Sequence, residues 1–159
     1  MTALLTLDYV AEKMKEFGTA EQVRSNRIRI RTTPERVSNA IQKALDSLGC
    51  DRLITISTAD NGTTFELFYH LIGPHRTVVS IAIEIPRDQP EVISMSGILS
   101  PAGIYERQIH DLFGIMFRGH PGLKKIILNE DWPADEFPLR KDWKKNPDTY
   151  YGGIKVERT

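Results

Sequence analysis

An α+β fold is predicted for this chain, with a mixed, mostly antiparallel four-stranded sheet covered by helices and an extended, irregular C-terminal tail. Three observations predict it. Apolar alternation recurs in segments joined by tight-turn signals, "DNG" at Asp60–Gly62 and "GPHR" at Gly73–Arg76. A strongly amphipathic stretch lies between the first two strand-like segments. Beyond about residue 118 the apolar stretches become short and are broken by Pro121, Pro133 and Pro138. The 159 residues suit one domain over 1–159, with a core of about 1–118 and a docking tail of about 119–159.

The elements follow in order. Leu7 to Phe17 predicts a short helix with Val10, Met14 and Phe17 on one side and Gly18 as its stop. Val23 to Arg31 reads as a strand, in which Ile28 and Ile30 alternate with Arg27, Arg29 and Arg31. In "TTPERVSNAIQKALDSLG", Thr33 is the expected N-cap with Pro34 at the first helical position, or Thr32 and Glu35 form a capping box. Val37, Ala40, Ile41, Ala44, Leu45 and Leu48 recur at helical spacing, and Gly49 ends the helix.

Strands are then expected at Leu53–Thr58, Thr63–Ile72 and Val78–Ile85. The middle one carries Phe65, Leu67, Tyr69 and Leu71 on one face and Phe68, His70 and Ile72 on the other, the two-sided apolarity of a central strand. His70 reads as a packed or hydrogen-bonded sheet residue. If the first two predicted strands are neighbours, the helix between them makes them parallel. A short strand near Val92–Met95 precedes a helix capped by Ser100 and starting at Pro101. On that helix Tyr105, Ile109, Leu112 and Phe113 form the apolar stripe; Glu106, Arg107, His110 and Asp111 lie mostly off it, with Arg107–Asp111 and Glu106–His110 spaced to pair. Gly114 ends it. "IMF" is a short extended piece, and the rest is largely irregular.

Composition narrows the function. Twenty-one basic and 21 acidic residues give zero net charge, which argues against a general binder of nucleic acid or acidic lipid. The one cysteine, Cys50, excludes an internal disulfide and a cysteine-rich iron–sulfur or zinc motif. No signal peptide is read at the N-terminus, and no stretch reaches the roughly 20 apolar residues that span a bilayer. Glu106, His110, Asp111 and His120 are metal-ligand types, but no His-Glu-x-x-His helix motif holds them together. Phosphate-binding glycine loops and a Gly-x-Ser-x-Gly elbow are absent from the sequence. Catalytic, cofactor-binding and metal-ligating residues are therefore expected to be none. Trp132, Phe137 and Trp143 beside Arg140, Lys141 and Asp142 make a polar–aromatic mixture suited to an interface. On composition, a docking surface and a strap wrapped on its own domain remain open alternatives.

"YERQIHDLFGIMFRGHPGLKKIIL" followed by "FPLRKDW" resembles the signature of the respiratory complex I 30 kDa subunit family, found in NADH–quinone oxidoreductases. The family includes a related subunit of membrane-bound, energy-converting hydrogenases. Glu106, Arg107, Asp111, Phe113, Gly114, Ile115, Phe117, Gly119, His120 and Pro121 match, as do Pro138, Leu139, Arg140, Lys141 and Asp142. Gln108 departs from the pattern, replacing a second glutamate. The resemblance implies a non-catalytic assembly subunit of the peripheral arm, without flavin, cluster or quinone of its own. Its implied partners are a large nickel–iron-hydrogenase-like subunit and a small iron–sulfur subunit. It implies a location on the cytoplasmic face of a prokaryotic cell membrane, with membrane contact only through other subunits. Partner docking is expected to involve Glu106, Arg107, Asp111, Phe113, Gly114, His120, Pro121, Pro138, Leu139, Arg140, Lys141 and Asp142. The competing reading is a free-standing RNA-binding domain that uses Arg24, Arg27, Arg29 and Arg31.

Overall fold

The computed structural model describes residues 5–149; the expected domain ends at 1–4 and 150–159 lie outside the described residues. Helix α1 (Leu7–Met14) starts at Thr6, whose Oγ1 accepts the Tyr9 amide at 3.3 Å, and buries Val10 and Met14. Strands β1 (Thr19–Arg24) and β2 (Arg27–Arg31) form an antiparallel hairpin where a single strand is expected over 23–31. The extra strand carries no apolar alternation because it is an edge strand with nearly every residue exposed.

Helix α2 (Val37–Leu48) begins later than Thr33 and Pro34 suggest. Residues 34–36 form a turn in which the Arg36 amide reaches the Thr33 carbonyl at 3.0 Å, and Arg36 is the N-cap with no side-chain bond. The helix ends as expected, at Gly49 in the left-handed conformation with its amide on the Ala44 carbonyl. Val37, Ala40, Ile41, Ala44 and Leu48 are buried.

Strands β3 (Arg52–Asp60), β4 (Thr64–Ile72) and β5 (Val78–Pro86) form the expected meander. The five-stranded order is β1-β2-β5-β4-β3, antiparallel except for β2 against β5. The expected α+β, mostly antiparallel architecture is therefore present, with five strands rather than four. The strands on either side of α2 are not neighbours: the chain crosses to the far edge at β3 and returns through β4 and β5 to meet β2. On the sheet face that the helices cover lie Ile28, Ile30, Phe65, Leu67, Tyr69, Leu71, Val79, Ile81, Ile83 and Ile85, all at most 2% exposed. On the opposite face His70 bridges β3 and β5, 2.8 Å from Ser57 Oγ and 2.7 Å from Ser80 Oγ, the hydrogen-bonded role expected of it.

The two meander turns differ in cost. The β3–β4 turn uses Asn61–Gly62, with Gly62 at φ +93°. The β4–β5 turn instead places two non-glycine residues, His75 (φ 54°, ψ 32°) and Arg76 (φ 60°), in the left-handed region, and the Thr77 amide closes on the Pro74 carbonyl at 3.1 Å. This is the backbone of a type I′ turn, which ordinarily selects Asn-Gly. For an L-residue with a Cβ the left-handed region costs about 1–2 kcal/mol.

Strand β6 (Glu91–Ile93) pairs in parallel with β7 (Met116–Arg118), the "IMF" piece, and together they bury Val92 and Phe117. Helix α3 (Ala102–Phe113) lies between them in sequence. Its N-cap is Pro101 without a side-chain bond, so Ser100 does not cap it. The helix packs along β3 and β4: Phe113 meets Phe65 edge-on with centroids 5.9 Å apart, and the Tyr105 hydroxyl donates to the Ile54 carbonyl at 2.8 Å.

Candidate docking interface

The stripe expected on α3 is only half of what the helix buries. Ile109 and Phe113 are buried and Tyr105 and Leu112 partly so, but Glu106 is 0% and Asp111 4% exposed. Neither spaced charge pair accounts for these groups, because each finds a partner elsewhere. Glu106 accepts from Ser94 Oγ at 2.5 Å and from the Met95 amide at 2.6 Å, tying the helix to the segment after β6. Burial pushes its carboxyl above the usual range, against the lowering effect of those two donors and of His120. The His110 Nδ1 lies 2.9 Å from the Ile115 carbonyl.

One turn on, α3 grips the tail. Arg107 donates to the carbonyls of Lys124 and Lys125, at 3.0 and 2.9 Å. Asp111 Oδ2 accepts three successive amides, Ile126 at 3.0 Å and Ile127 and Leu128 at 2.8 Å each. Burial alone would raise this carboxyl, but the amides and Lys125 outweigh it and hold the group below the usual range. Arg107 and Asp111 therefore bind consecutive peptides of one strand of chain, rather than each other. Lys125 then curls the tail by donating to the Trp132 carbonyl at 2.6 Å. His120 fixes the preceding turn: Nδ1 accepts the Gly122 amide at 3.0 Å, which leaves Nε2 to donate to the Gly103 carbonyl at 2.9 Å. Pro121 beside it is exposed.

A second fastening holds 137–142. Gly114, at φ +74°, leaves the space that Phe137 fills; a Cβ there would stand 2.5 Å from the ring. Arg140 lies over the rings of Phe137 and Phe65, at 4.5 and 5.4 Å, and its Nε donates to the Phe113 carbonyl at 2.8 Å. Thus Arg140 and Asp111 do not pair; each binds backbone. The Leu139 amide donates to the Leu112 carbonyl at 3.1 Å, and Pro138 beside it is partly buried. The Lys141 amide reaches Asp60 Oδ2 at 2.9 Å, Arg87 Nε lies 3.2 Å from Asp60, and Arg87 also pairs with Asp142. Burial raises the Asp60 carboxyl, but the Lys141 and Gly62 amides and Arg87 bring it below its ordinary value. Trp132 and Trp143 stack with centroids 6.0 Å apart, each indole donating to Glu136.

Asp60, Arg87 and Ser94 are parts of this arrangement that sequence reasoning does not single out. Asp60 is read there only as a hairpin turn residue, and Arg87 falls between the expected strands at 78–85 and 92–95. Their partners lie 81 and 55 residues away, a separation that carries no local pattern.

With Arg107 and Asp111 engaged on the tail, α3 presents an outer row that is apolar at Ile104 and Leu112. Ile104 is 58% exposed, and Gln108 and Leu112 follow at helical spacing. Leu139, 52% exposed, lies alongside, and Ile126 and Ile127, held through Asp111, are exposed as well. A cleft of about 250 Å³ between α3 and β3 is lined by Ile56, Thr58, Gln108, Ile109, Leu112, Phe113 and Leu139. Among the described residues no group of three or more His, Cys, Asp or Glu is placed to hold a metal, and no helix is long and apolar enough to cross a membrane. On the arginine-rich strand, Arg29 pairs with Glu21 at 3.3 Å and stacks on Phe68, and Arg31 pairs with Glu66 at 2.7 Å, so much of its charge is already neutralised.

Residues 30–149 match the family described as the respiratory-chain NADH dehydrogenase 30 kDa subunit. An F(420)H(2) dehydrogenase subunit of Methanosarcina mazei is 32% identical over 139 residues, covering 86% of this chain and 85% of that protein. An NADH-quinone oxidoreductase subunit of Roseiflexus sp. is 40% identical over 79 residues, 49% of this chain and 44% of that one, so the match spans under half the length of that relative. In fold, the chain is similar to a chain of the membrane-bound sulfane sulfur reductase, an archaeal respiratory membrane complex, with a TM-score of 0.77 at 23% identity over 86% of this chain and 84% of that one. It is also similar to the trypsin-resistant fragment of Nqo5, with a TM-score of 0.62 at 23% identity over 74% of this chain and 98% of that fragment.

Proposed function

The chain belongs to the respiratory-chain NADH dehydrogenase 30 kDa subunit family, and from that membership we propose that it is a non-catalytic assembly subunit in the peripheral arm of a complex I-like oxidoreductase or a related membrane-bound hydrogenase. It docks on the large hydrogenase-like subunit, next to the small iron–sulfur subunit, on the cytoplasmic face of the membrane, and touches the bilayer only through other subunits. The observation that supports this reading is the division of labour on α3. Arg107 and Asp111 are spent on the chain's own tail, while Ile104, Gln108, Leu112 and Leu139 face outward beside an apolar cleft. In this reading Glu106, Arg107, Asp111, Phe113, Gly114, His120, Pro121, Pro138, Leu139, Arg140, Lys141 and Asp142 serve docking by setting the shape of the tail that borders the partner.

Electron carriage is left to other subunits. Cys50 is the one cysteine and is buried, whereas an iron–sulfur cluster is ordinarily held by several cysteine thiolates. RNA binding is not favoured: of the arginines it would use, Arg29 and Arg31 already face Glu21, Glu66 and Phe68.

The test replaces apolar side chains that are more than half exposed. Ile104→Glu and Leu139→Glu, introduced in the intact complex, are expected to lower recovery of assembled complex at least several-fold. The isolated subunit should keep its melting temperature, and turnover per assembled complex should stay near wild type. Normal recovery of both variants would remove the α3 row as the docking surface; normal assembly with collapsed turnover would place the row in the chemistry instead.

A further inference from the structure

The β4–β5 turn lies away from the tail and from the outer row of α3, and nothing in the assembly reading uses it. Hairpins of this kind select Asn-Gly because both central residues need positive φ. The neighbouring β3–β4 turn of this same chain has one positive-φ position, and a glycine, Gly62, fills it. At the β4–β5 turn the left-handed pair is His75 and Arg76, two residues with long polar side chains held in a backbone they do not favour. Strain of this sort persists where a side chain is wanted at that position.

The surroundings indicate what the side chains are for. A cleft of about 360 Å³ is lined by Gly49, Asp51, Arg52, Ile72, Gly73, Pro74, His75 and Arg76. Two arginines and a histidine thus approach it from two elements, the start of β3 and the turn. Gly49 and Gly73 bring backbone to its wall without side chains. The single acid, Asp51, lies 3.6 Å from Arg52 at an exposed position. A planar carboxylate is satisfied by one guanidinium fork. Donors brought to the cleft by two elements instead suit a group with acceptor oxygens in several directions, as phosphate has.

We propose that the cleft between the β4–β5 turn and the start of β3 is a phosphate-binding site, in which Arg52, His75 and Arg76 hold either free phosphate or the phosphate of an anionic lipid headgroup. The turn keeps His75 and Arg76 in place of Asn-Gly because they supply two of its three donor side chains.

The experiment uses the full chain and two variants. The double variant His75→Asn/Arg76→Gly restores the turn's preferred residues, so its fold is retained and its melting temperature should equal or exceed that of wild type. Arg52→Gln removes one donor without touching the turn. The probes are inorganic phosphate, followed by amide chemical-shift titration, and vesicles of phosphatidylglycerol, followed by co-sedimentation against phosphatidylcholine vesicles. At least one phosphate probe is expected to bind saturably, with shifts centred on residues 49–52 and 73–77, and to bind at least tenfold more weakly to both variants. Binding of inorganic phosphate by itself identifies a soluble phosphate as the source. Binding confined to phosphatidylglycerol vesicles identifies the headgroup and replaces the reading that the chain meets the bilayer only through other subunits. The proposal is overturned if neither probe binds wild type, if the variants bind as well as wild type, or if an aspartate-rich peptide saturates the cleft while both phosphate probes fail.

Discussion

Two carboxylates on α3, Glu106 and Asp111, answer pH in opposite directions. Asp111 has its folded pKa lowered, so the stability it contributes is present above its unfolded value, near 3.8, and is lost as pH falls through the folded value. Replacing it with alanine strands the amides of 126–128. A hydrogen bond to a charged group contributes about 1.5–3 kcal/mol, and partly exposed amides regain some of that from water. Asp111→Ala should therefore destabilise by about 1–3 kcal/mol, and hydrogen exchange should show loss of protection centred on those three amides. Unchanged exchange there would mean that Asp111 does not hold the tail. Glu106 has its folded pKa raised, so the folded protein binds more protons than the unfolded chain in the window just above 4.5, and stability declines as pH rises through it. Glu106→Gln keeps an acceptor for the Met95 amide and removes that ionisation. Chemical denaturation of the variant between pH 4 and 8 should show a flatter dependence on pH than wild type, with stability near neutrality equal or higher. A steeper decline would contradict the raised pKa that burial gives this carboxyl.

At the level of elements, the joint between α3 and the tail turns on one glycine. Gly114 ends the helix in the left-handed conformation and lets the Phe137 ring approach its Cα. Gly114→Ala meets both a backbone penalty of about 1–2 kcal/mol and a collision with the ring. It is expected to lower the melting temperature by several degrees and to open the segment from 119 to 149 to limited proteolysis, while the sheet resists. A tail as resistant as wild type would show that Phe137 is not its anchor. The elements themselves are legible in the sequence to different degrees. α2 and the β3–β4–β5 meander follow directly from periodicity and turn chemistry, since their buried faces are apolar throughout. β1 escapes such a reading because an edge strand with exposed side chains has no hydrophobic period. The start of α2 is misplaced by it because Thr33 and Pro34 carry good capping chemistry but form a separate turn. On α3 the apolar stripe is visible, whereas the burial of Glu106 and Asp111 depends on partners 11 to 17 residues away, and charge in a sequence ordinarily signals solvent.

Across the whole molecule, the fold class and the tail's signature residues can be read from the chain, because the motifs lie close together in sequence and the sheet is built largely from local hairpins. What those residues touch cannot be read. Composition leaves the tail open as strap or docking surface, and the structure makes it a strap whose outer side chains border the apolar row of α3. Pairs such as Lys141 with Asp60 and Asp142 with Arg87 close chain segments of 81 and 55 residues, and no pattern of spacing announces them. The assembly prediction belongs at this scale: Ile104→Glu and Leu139→Glu test the outer surface, whereas Asp111→Ala and Gly114→Ala test the strap behind it. If the strap variants impair assembly while the surface variants do not, the partner binds the tail's course rather than the helix row.

Asp60 is where the early and late parts of the chain meet. It ends β3 and receives Gly62 of its own hairpin, a contact two residues long, yet its other oxygen waits for an amide near the C-terminus. On a ribosome, where domains emerge from the N-terminus onward, the hairpin is complete while residues 137–142 are still unmade. Until they appear, the Asp60 carboxylate has Arg87 but not Lys141, and the seat beside Gly114 is without its phenylalanine. The last fastening is therefore made late: a chain synthesised only as far as residue 136 carries the sheet but not the finished border around α3.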